Sequence, residues 1–140
     1  EPFLLPPALN LMISQRLVSL LCDNCKTKVD APPPIQKIIK SAISGLPSEI
    51  ISSYREPYKI YHAPGCDQCK NRGFIGRMAV FEVFEMTPDV ETIVNTNPTL
   101  DRISAEAKHQ GVVTMRQDGV LKALSGLISI EEVIRETKEV

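Results

Sequence analysis

The sequence writes Cys-Asp-x-Cys twice, at residues 22–25 and again at residues 66–69, with 40 residues between the pairs and no cysteine elsewhere. A CxxC turn presents two thiolates on one knuckle, and two knuckles complete the four soft ligands of a tetrahedral Zn²⁺ site. Such a site forces the two segments together and closes everything between them into a loop. That loop is longer than usual zinc-ribbon spacing, but closure entropy grows slowly with length, and 40 residues have room for a helix and a strand. The pattern predicts one structural metal centre with Cys22, Cys25, Cys66 and Cys69 as ligands. A shell closed by four protein ligands leaves no position for water or substrate, so the metal holds the fold and does no chemistry.

Four thiolates around one Zn²⁺ leave surplus negative charge, and Lys26, Lys28, Lys70, Arg72 and Arg77 adjoin them in sequence. These cations are expected to offset that charge and favour thiolate over thiol. Asp23 and Asp67 read as turn-formers that hydrogen-bond their own backbone. His62, four residues before Cys66, reads as an ordinary strand residue, although its imidazole is a conceivable substitute ligand. Two other uses of the cysteines stand beside the metal. Disulfides within each CxxC need an oxidising compartment and would cross-link almost nothing, and a redox dithiol usually sits at a helix N-terminus, which neither pair clearly precedes.

With 140 residues, 43% of them hydrophobic, the chain can build one ordinary domain or two small packed units. Aromatics are only 5% and Trp is absent, so the core rests on Ile, Leu, Val, Met and Ala, which favours helices. Sixteen basic and 17 acidic residues give a net charge of -1, which removes the broad attraction on which non-specific nucleic-acid binders rely. The cysteine-bearing half is the basic one: residues 1–70 carry 8 basic and 6 acidic side chains, against 8 and 11 in residues 71–140. The longest uncharged apolar-rich stretch, residues 2–15, is broken by Pro6 and Pro7 and too short to span a membrane. A start at Glu1 without an initiator Met is expected of a piece excised from something longer rather than of a signal peptide.

The apolar periodicity predicts an α+β chain. Ala8, Leu9, Met12, Ile13, Leu17, Leu20 and Leu21 recur at three- and four-residue steps and predict a helix over residues 8–21. Ala31 and Pro32 to Pro34 read as an extended connector, followed by a helix over residues 35–43 that stops near Gly45. Strands are expected at residues 58–62 and 74–84. Four short helices are expected over residues 87–138, introduced by Thr87-Pro88, Thr99, a capping box at residues 114–117 and a second at residues 129–132, with Ile128 and Val133 as a hydrophobic staple. His109 falls in the last turn of the second of these, near a favourable helix dipole, and Arg16 lies on the polar side of the first expected helix. No Gly-Lys dipeptide and no GxGxxG occurs, no Ser, His and Asp set stands out, and Glu82 with Glu85 do not form a catalytic pair. No catalytic or nucleotide-binding residue is assigned.

Three stretches together resemble a known family: "EPFLLPPALNLMISQRLVSLLCDNCK" (residues 1–26), "GCDQCKNRGFIGRMAVFEVFEMTPDV" (residues 65–90) and "KHQGVVTMRQDGVLKALSGLISIEEVIRET" (residues 108–137). The compound pattern of QRL, two CxxC pairs, GR-x-A and a closing MRxDG block resembles the C-terminal portion of the secretion ATPases, the hexameric motors of type II secretion and type IV pilus assembly. The resemblance implies a fragment of a RecA-like ATPase C-terminal domain. Residues 1–21 would end the ATPase core, residues 22–72 would form a tetracysteine zinc subdomain holding Cys22, Cys25, Cys66 and Cys69, residues 73–86 a strand returning to the core with Gly76, Arg77 and Glu82, and residues 87–140 a C-terminal helical region. It also implies that ATP and Mg²⁺ are bound only by the full-length parent, whose Walker motifs precede this segment. Its expected setting is a cytoplasmic homo-hexamer, peripheral to the inner membrane through a platform protein of the pilus or secretion machinery, without a transmembrane segment. The alternatives carried beside it are a free-standing zinc ribbon that binds nucleic acid and a CxxC thiol oxidoreductase.

Overall fold

A computed structural model describes residues 1–137; residues 138–140, including the expected last residue of the final helix, lie outside the described residues. A 3-10 turn at Pro2–Leu4 precedes α1 (Leu5–Ala8), β1 (Leu11–Leu21), β2 (Thr27–Asp30), α2 (Pro33–Ile43), α3 (Ser48–Ile51), β3 (Lys59–His62) and β4 (Phe74–Glu85). Four helices follow, α4 (Pro88–Thr96), α5 (Leu100–His109), α6 (Met115–Leu124) and α7 (Ile130–Glu136), so the expected α+β class holds. β1 pairs with β4 and β2 with β3, each pair a separate two-stranded sheet.

The helix expected over residues 8–21 is a strand from Leu11 onward. Its apolar residues fit a 3.6-residue period on paper, yet Leu11, Ile13 and Leu17 also fit a period of two, and spacing alone does not separate these readings. What decides is the partner. β4 is rich in β-formers, and Cys22 N–H donates to Gly73 O at 2.8 Å while Met86 N–H donates to Asn10 O at 3.0 Å, so the two strands run in opposite directions. At the far end of β1 a second neighbour appears, with Leu21 N–H donating to Leu127 O at 2.9 Å and Leu20 bridging Ile128. The triple-proline connector is also shorter than expected. Pro32 is extended (φ -57°, ψ 154°), but Pro33 and Pro34 occupy the first turn of α2, where a missing N–H is not needed and the fixed φ is already helical.

The chain forms two compact units. One comprises Glu1–Ser14 and Glu82–Thr114, with α4 packed on the 3-10 turn, on α1 and on α5. Val90 and Ile93 are its buried side chains, and Thr87 caps α4 by accepting Val90 N–H at 3.3 Å. Thr99 stands at the N-cap of α5 but makes no side-chain capping bond, contrary to expectation.

The other unit comprises residues 15–81 and 115–137 and carries all four cysteines. Helix α6 is its centre, packing on α2, α7 and β3. Val18, Ile39, Ile43, Val80, Val120, Ile128 and Val133 are fully buried there, and each side chain removed from water contributes about 1.5–3 kcal/mol before entropy is charged. Helices α6 and α7 approach so closely at Gly119 that a Cβ there would meet Val133 Cγ1 at 2.7 Å. Ser129 caps α7 by accepting Glu132 N–H at 3.2 Å, but the Glu132 carboxylate does not close the box; it accepts Ser19 N–H at 3.0 Å and Ser19 Oγ at 3.2 Å. The cap thereby also ties α7 to β1.

Candidate metal centre

The two knuckles meet because two strand pairs bracket them. The first knuckle leaves β1 at Leu21 and enters β2 at Thr27; the second leaves β3 at His62 and enters β4 at Phe74. Antiparallel pairing of β2 with β3 places Thr27 opposite His62 and Val29 opposite Ile60, closing the long loop at its base. On the other side, the Cys22 N–H to Gly73 O bond joins the end of β1 to the residue before β4. Inside the loop, Gln36 stitches α2 to the ribbon: its Nε2 donates to Ala31 O and Tyr58 O, and its Oε1 accepts Tyr58 N–H, at 2.8–3.1 Å.

All four sulfurs lie within 4.8 Å of one another. Cys22 Sγ is 3.8 Å from Cys66 Sγ, Cys25 Sγ is 4.0 Å from Cys69 Sγ, and Cys66 Sγ is 3.7 Å from Cys69 Sγ. A tetrahedron with Zn–S bonds of about 2.3 Å has edges of about 3.8 Å. The thiols are free, and their separations are far beyond the S–S bond of about 2.05 Å in a disulfide. The donor set therefore fits a tetrahedral, thiophilic metal ion. Cys22 and Cys69 are almost fully buried and Cys25 and Cys66 partly so.

Hydrogen bonds to sulfur come from backbone N–H groups at the second knuckle and from the Asn24 side chain. Cys66 N–H and Gly73 N–H donate to Cys69 Sγ at 3.1 and 3.2 Å, and Asn24 Nδ2 donates to Cys66 Sγ at 3.2 Å. The Asn24 contact, with help from the Cys69 backbone, lowers the Cys66 thiol to about 6. For Cys69, burial pushes the thiol up, but the N–H groups of Cys66 and Gly73 outweigh it and the net direction is down. Cys25 is pushed up to about 12, by desolvation first and then by its sulfur neighbours. The protein's own groups thus favour thiolate at Cys66 and Cys69 and oppose it at Cys25.

The basic residues flanking the knuckles have other partners. Lys26 pairs with Asp23, donates to Gly126 O at 2.8 Å and lies 5.8 Å from the Tyr61 ring centroid. Lys28 lies 5.7 Å from the same centroid, and Arg72 Nε donates to Cys69 O at 3.4 Å. Asp23 is held by Lys26 and not by its own backbone as expected. Lys70 and Asn71 adopt left-handed backbone (φ 53° and 59°), a conformation costing non-glycine residues about 1–2 kcal/mol each, and Asn71 N–H donating to Cys66 O at 2.8 Å holds it. His62 is exposed at the end of β3 and stands outside the sulfur cluster. His109 Nδ1 faces Glu106 Oε2 at 3.5 Å across one turn of α5, near Asp89, an i, i+3 pairing of an exposed imidazole with a largely buried carboxylate that needs no metal to explain it. Asn24 and Gly73 went unassigned in the sequence because their roles depend on contacts across the loop; the glycine directly before β4 was the only local sign.

Among the described residues no helix is long and apolar enough to cross a membrane. Comparison with known proteins extends the picture. The chain is 35% identical over 98% of its length to the type IV pilus assembly ATPase PilB of Pseudomonas aeruginosa, of which it covers 22%. It is 32% identical over 99% of its length to PilB of Thermus thermophilus, covering 15% of that protein, and 31% identical over 99% of its length to the type II secretion system ATPase E of Vibrio cholerae, covering 25%. The chain therefore spans a quarter or less of each of these three relatives. The family model described as type II/IV secretion system protein matches residues 1–135, nearly the whole chain, and this protein belongs to that family.

Proposed function

We propose that this chain is a zinc-bearing, non-catalytic module of a motor ATPase serving type IV pilus assembly or type II secretion. The observation that carries the reading is the four-sulfur cluster of Cys22, Cys25, Cys66 and Cys69, with separations matching a tetrahedral zinc shell, in a chain of the secretion family. When bound, Zn²⁺ supplies four bonds that fix one knuckle against the other. The chain's own residues do the rest: Asn24, Cys66 N–H and Gly73 N–H orient and stabilise thiolate sulfur, and the β2–β3 ribbon closes the loop between the pairs. Residues 22–72 form the tetracysteine subdomain, residues 73–86 the strand back to the ATPase domain, and residues 1–21 and 87–140 belong with that domain. ATP hydrolysis resides in parts of the parent beyond these residues, where a phosphate-binding Gly-Lys loop would lie; none occurs in this sequence. The parent works as a homo-hexamer in the cytoplasm, and the metal-locked projection transmits subunit motion to an inner-membrane platform protein.

Metal content tests the reading directly. Protein purified under reducing conditions should contain about one zinc per chain, reduced to near none in Cys66→Ser. An intact fold with four free thiols and no metal would refute it. In the full-length parent, Cys66→Ser should impair transport or pilus assembly while nucleotide binding persists; unimpaired transport would remove the mechanical role.

A further inference from the structure

Between β2, β3 and the loop after α3 lies a cleft of about 210 Å³ whose wall includes Lys28, Arg55 and Lys59 and no acidic side chain. The chain as a whole has a net charge of -1, so three cations around one cleft are a local departure. Their compensation is slight. Lys59 pairs with Asp30 at 2.7 Å, but both side chains are about half exposed or more, and such pairs are worth about 0–1 kcal/mol. Among the described residues the Lys28 side chain has only the Tyr61 ring as partner, and Arg55 makes no hydrogen bond or ion pair. The floor is firm, because Tyr58 and Leu124 are buried. The loop carrying Arg55 is anchored just before it, by Ser53 N–H donating to Ile50 O at 3.2 Å and Tyr54 N–H to Ile51 O at 2.9 Å.

We infer that this cleft binds the phosphate group of an anionic ligand. Three cations around a cavity of this size suit the several oxygens of a phosphate better than a single carboxylate, and the planar Arg55 fork, without a partner among the described residues, offers two parallel donors to one phosphate. Ser53 and Tyr54 also line the cleft. The chain's net charge of -1 favours a discrete phosphate group over an extended polyanion. Two sources supply that chemistry, a free phosphate compound and the headgroup of an anionic phospholipid. Lys28 and Lys59 stand on the β2–β3 ribbon beside the cysteine knuckles, so phosphate binding is tested with the metal bound.

The test uses the metal-loaded 140-residue chain. Amide NMR spectra would be followed while inorganic phosphate is added at constant ionic strength, and flotation would be measured with phosphatidylcholine vesicles with and without phosphatidylglycerol. Phosphate should shift Tyr54, Arg55 and Lys59 amides saturably, with affinity about tenfold weaker in Arg55→Ala and unchanged in Lys37→Ala, an exposed cation on α2. Vesicle binding that requires phosphatidylglycerol and is lost in Arg55→Ala would identify the lipid source; phosphate binding without vesicle binding would identify a free phosphate ligand. Absence of both, or equal effects of Arg55→Ala and Lys37→Ala, would overturn the inference.

Discussion

Gly73 is a single residue on which two contacts of the candidate metal centre and a tight turn converge. Its N–H reaches Cys69 Sγ, its carbonyl accepts Cys22 N–H, and its φ of +76° lets the chain turn from the second knuckle into β4. A Cβ at this position would collide with the Ala63 carbonyl oxygen in a backbone conformation that side-chain-bearing residues avoid. Gly73→Ala should therefore destabilise the protein by about 2 kcal/mol or more and weaken metal binding, measurable as a lower urea midpoint and easier loss of zinc to a chelator. The thiols supply a second prediction at this scale. In reduced, metal-free protein at neutral pH, iodoacetamide should modify Cys66, whose thiol is lowered to about 6, well before Cys25, pushed up to about 12. Equal labelling of the two would show that Asn24 does not select the thiolate. The sign for stability follows from the same shift: the Cys66 contribution is full above the ordinary thiol range near about 8.5 and is lost as pH falls through about 6. Metal-free protein should accordingly become less resistant to urea as pH drops from 9 toward 6.

At the scale of elements, α7 shows how a local signal acquires a long-range use. Its N-cap at Ser129 is a sequence-local device, and Ser129→Ala should cost about 1 kcal/mol. Glu132 is different, because its nearly buried carboxylate receives both polar groups of Ser19, 113 residues away, as well as Arg135 at 3.2 Å. Glu132→Ala strands the Ser19 N–H and should cost about 1–3 kcal/mol, more than the cap variant; urea unfolding of the two variants compares them directly. The same division governs what could be read from the sequence. Cysteine spacing, the Ile35 to Ile43 stripe of α2 and the caps at Thr87 and Ser129 are legible because neighbours in sequence produce them. The strand character of β1 was not, since its apolar residues satisfy two periods and only β4 and the Leu127–Ile128 segment select one. Neither was Asn24, whose sulfur partner is 42 residues away. Charge was misread for a related reason: a cation next to a ligand in sequence can face elsewhere, as Lys26 does toward Asp23 and Gly126.

For the whole molecule, the distribution of apolar burial decides what the metal holds. The unit without cysteines can draw nothing directly from the site, with Val90 and Ile93 buried in its own contacts. In the cysteine-bearing unit, Ile39, Ile43, Val120 and Val133 form a core that α2, α6 and α7 build without any ligand residue. The segments that would lean on a bound metal are the knuckles and the short β2–β3 ribbon, whose β2 residues are all exposed and whose four register pairs are too few to stand alone in water. Zinc removal is therefore expected to loosen the molecule unevenly. Hydrogen exchange should accelerate in residues 22–30 and 59–73 after chelation, while α2 and α6 amides keep most of their protection and helical circular dichroism changes little. Lowering the pH should give the same pattern in the zinc-loaded protein, because protons compete with metal for thiolate. Uniform exchange through α2, α6 and the ribbon would mean instead that the four sulfur bonds hold the entire unit, and that its apolar core is too small to fold without them.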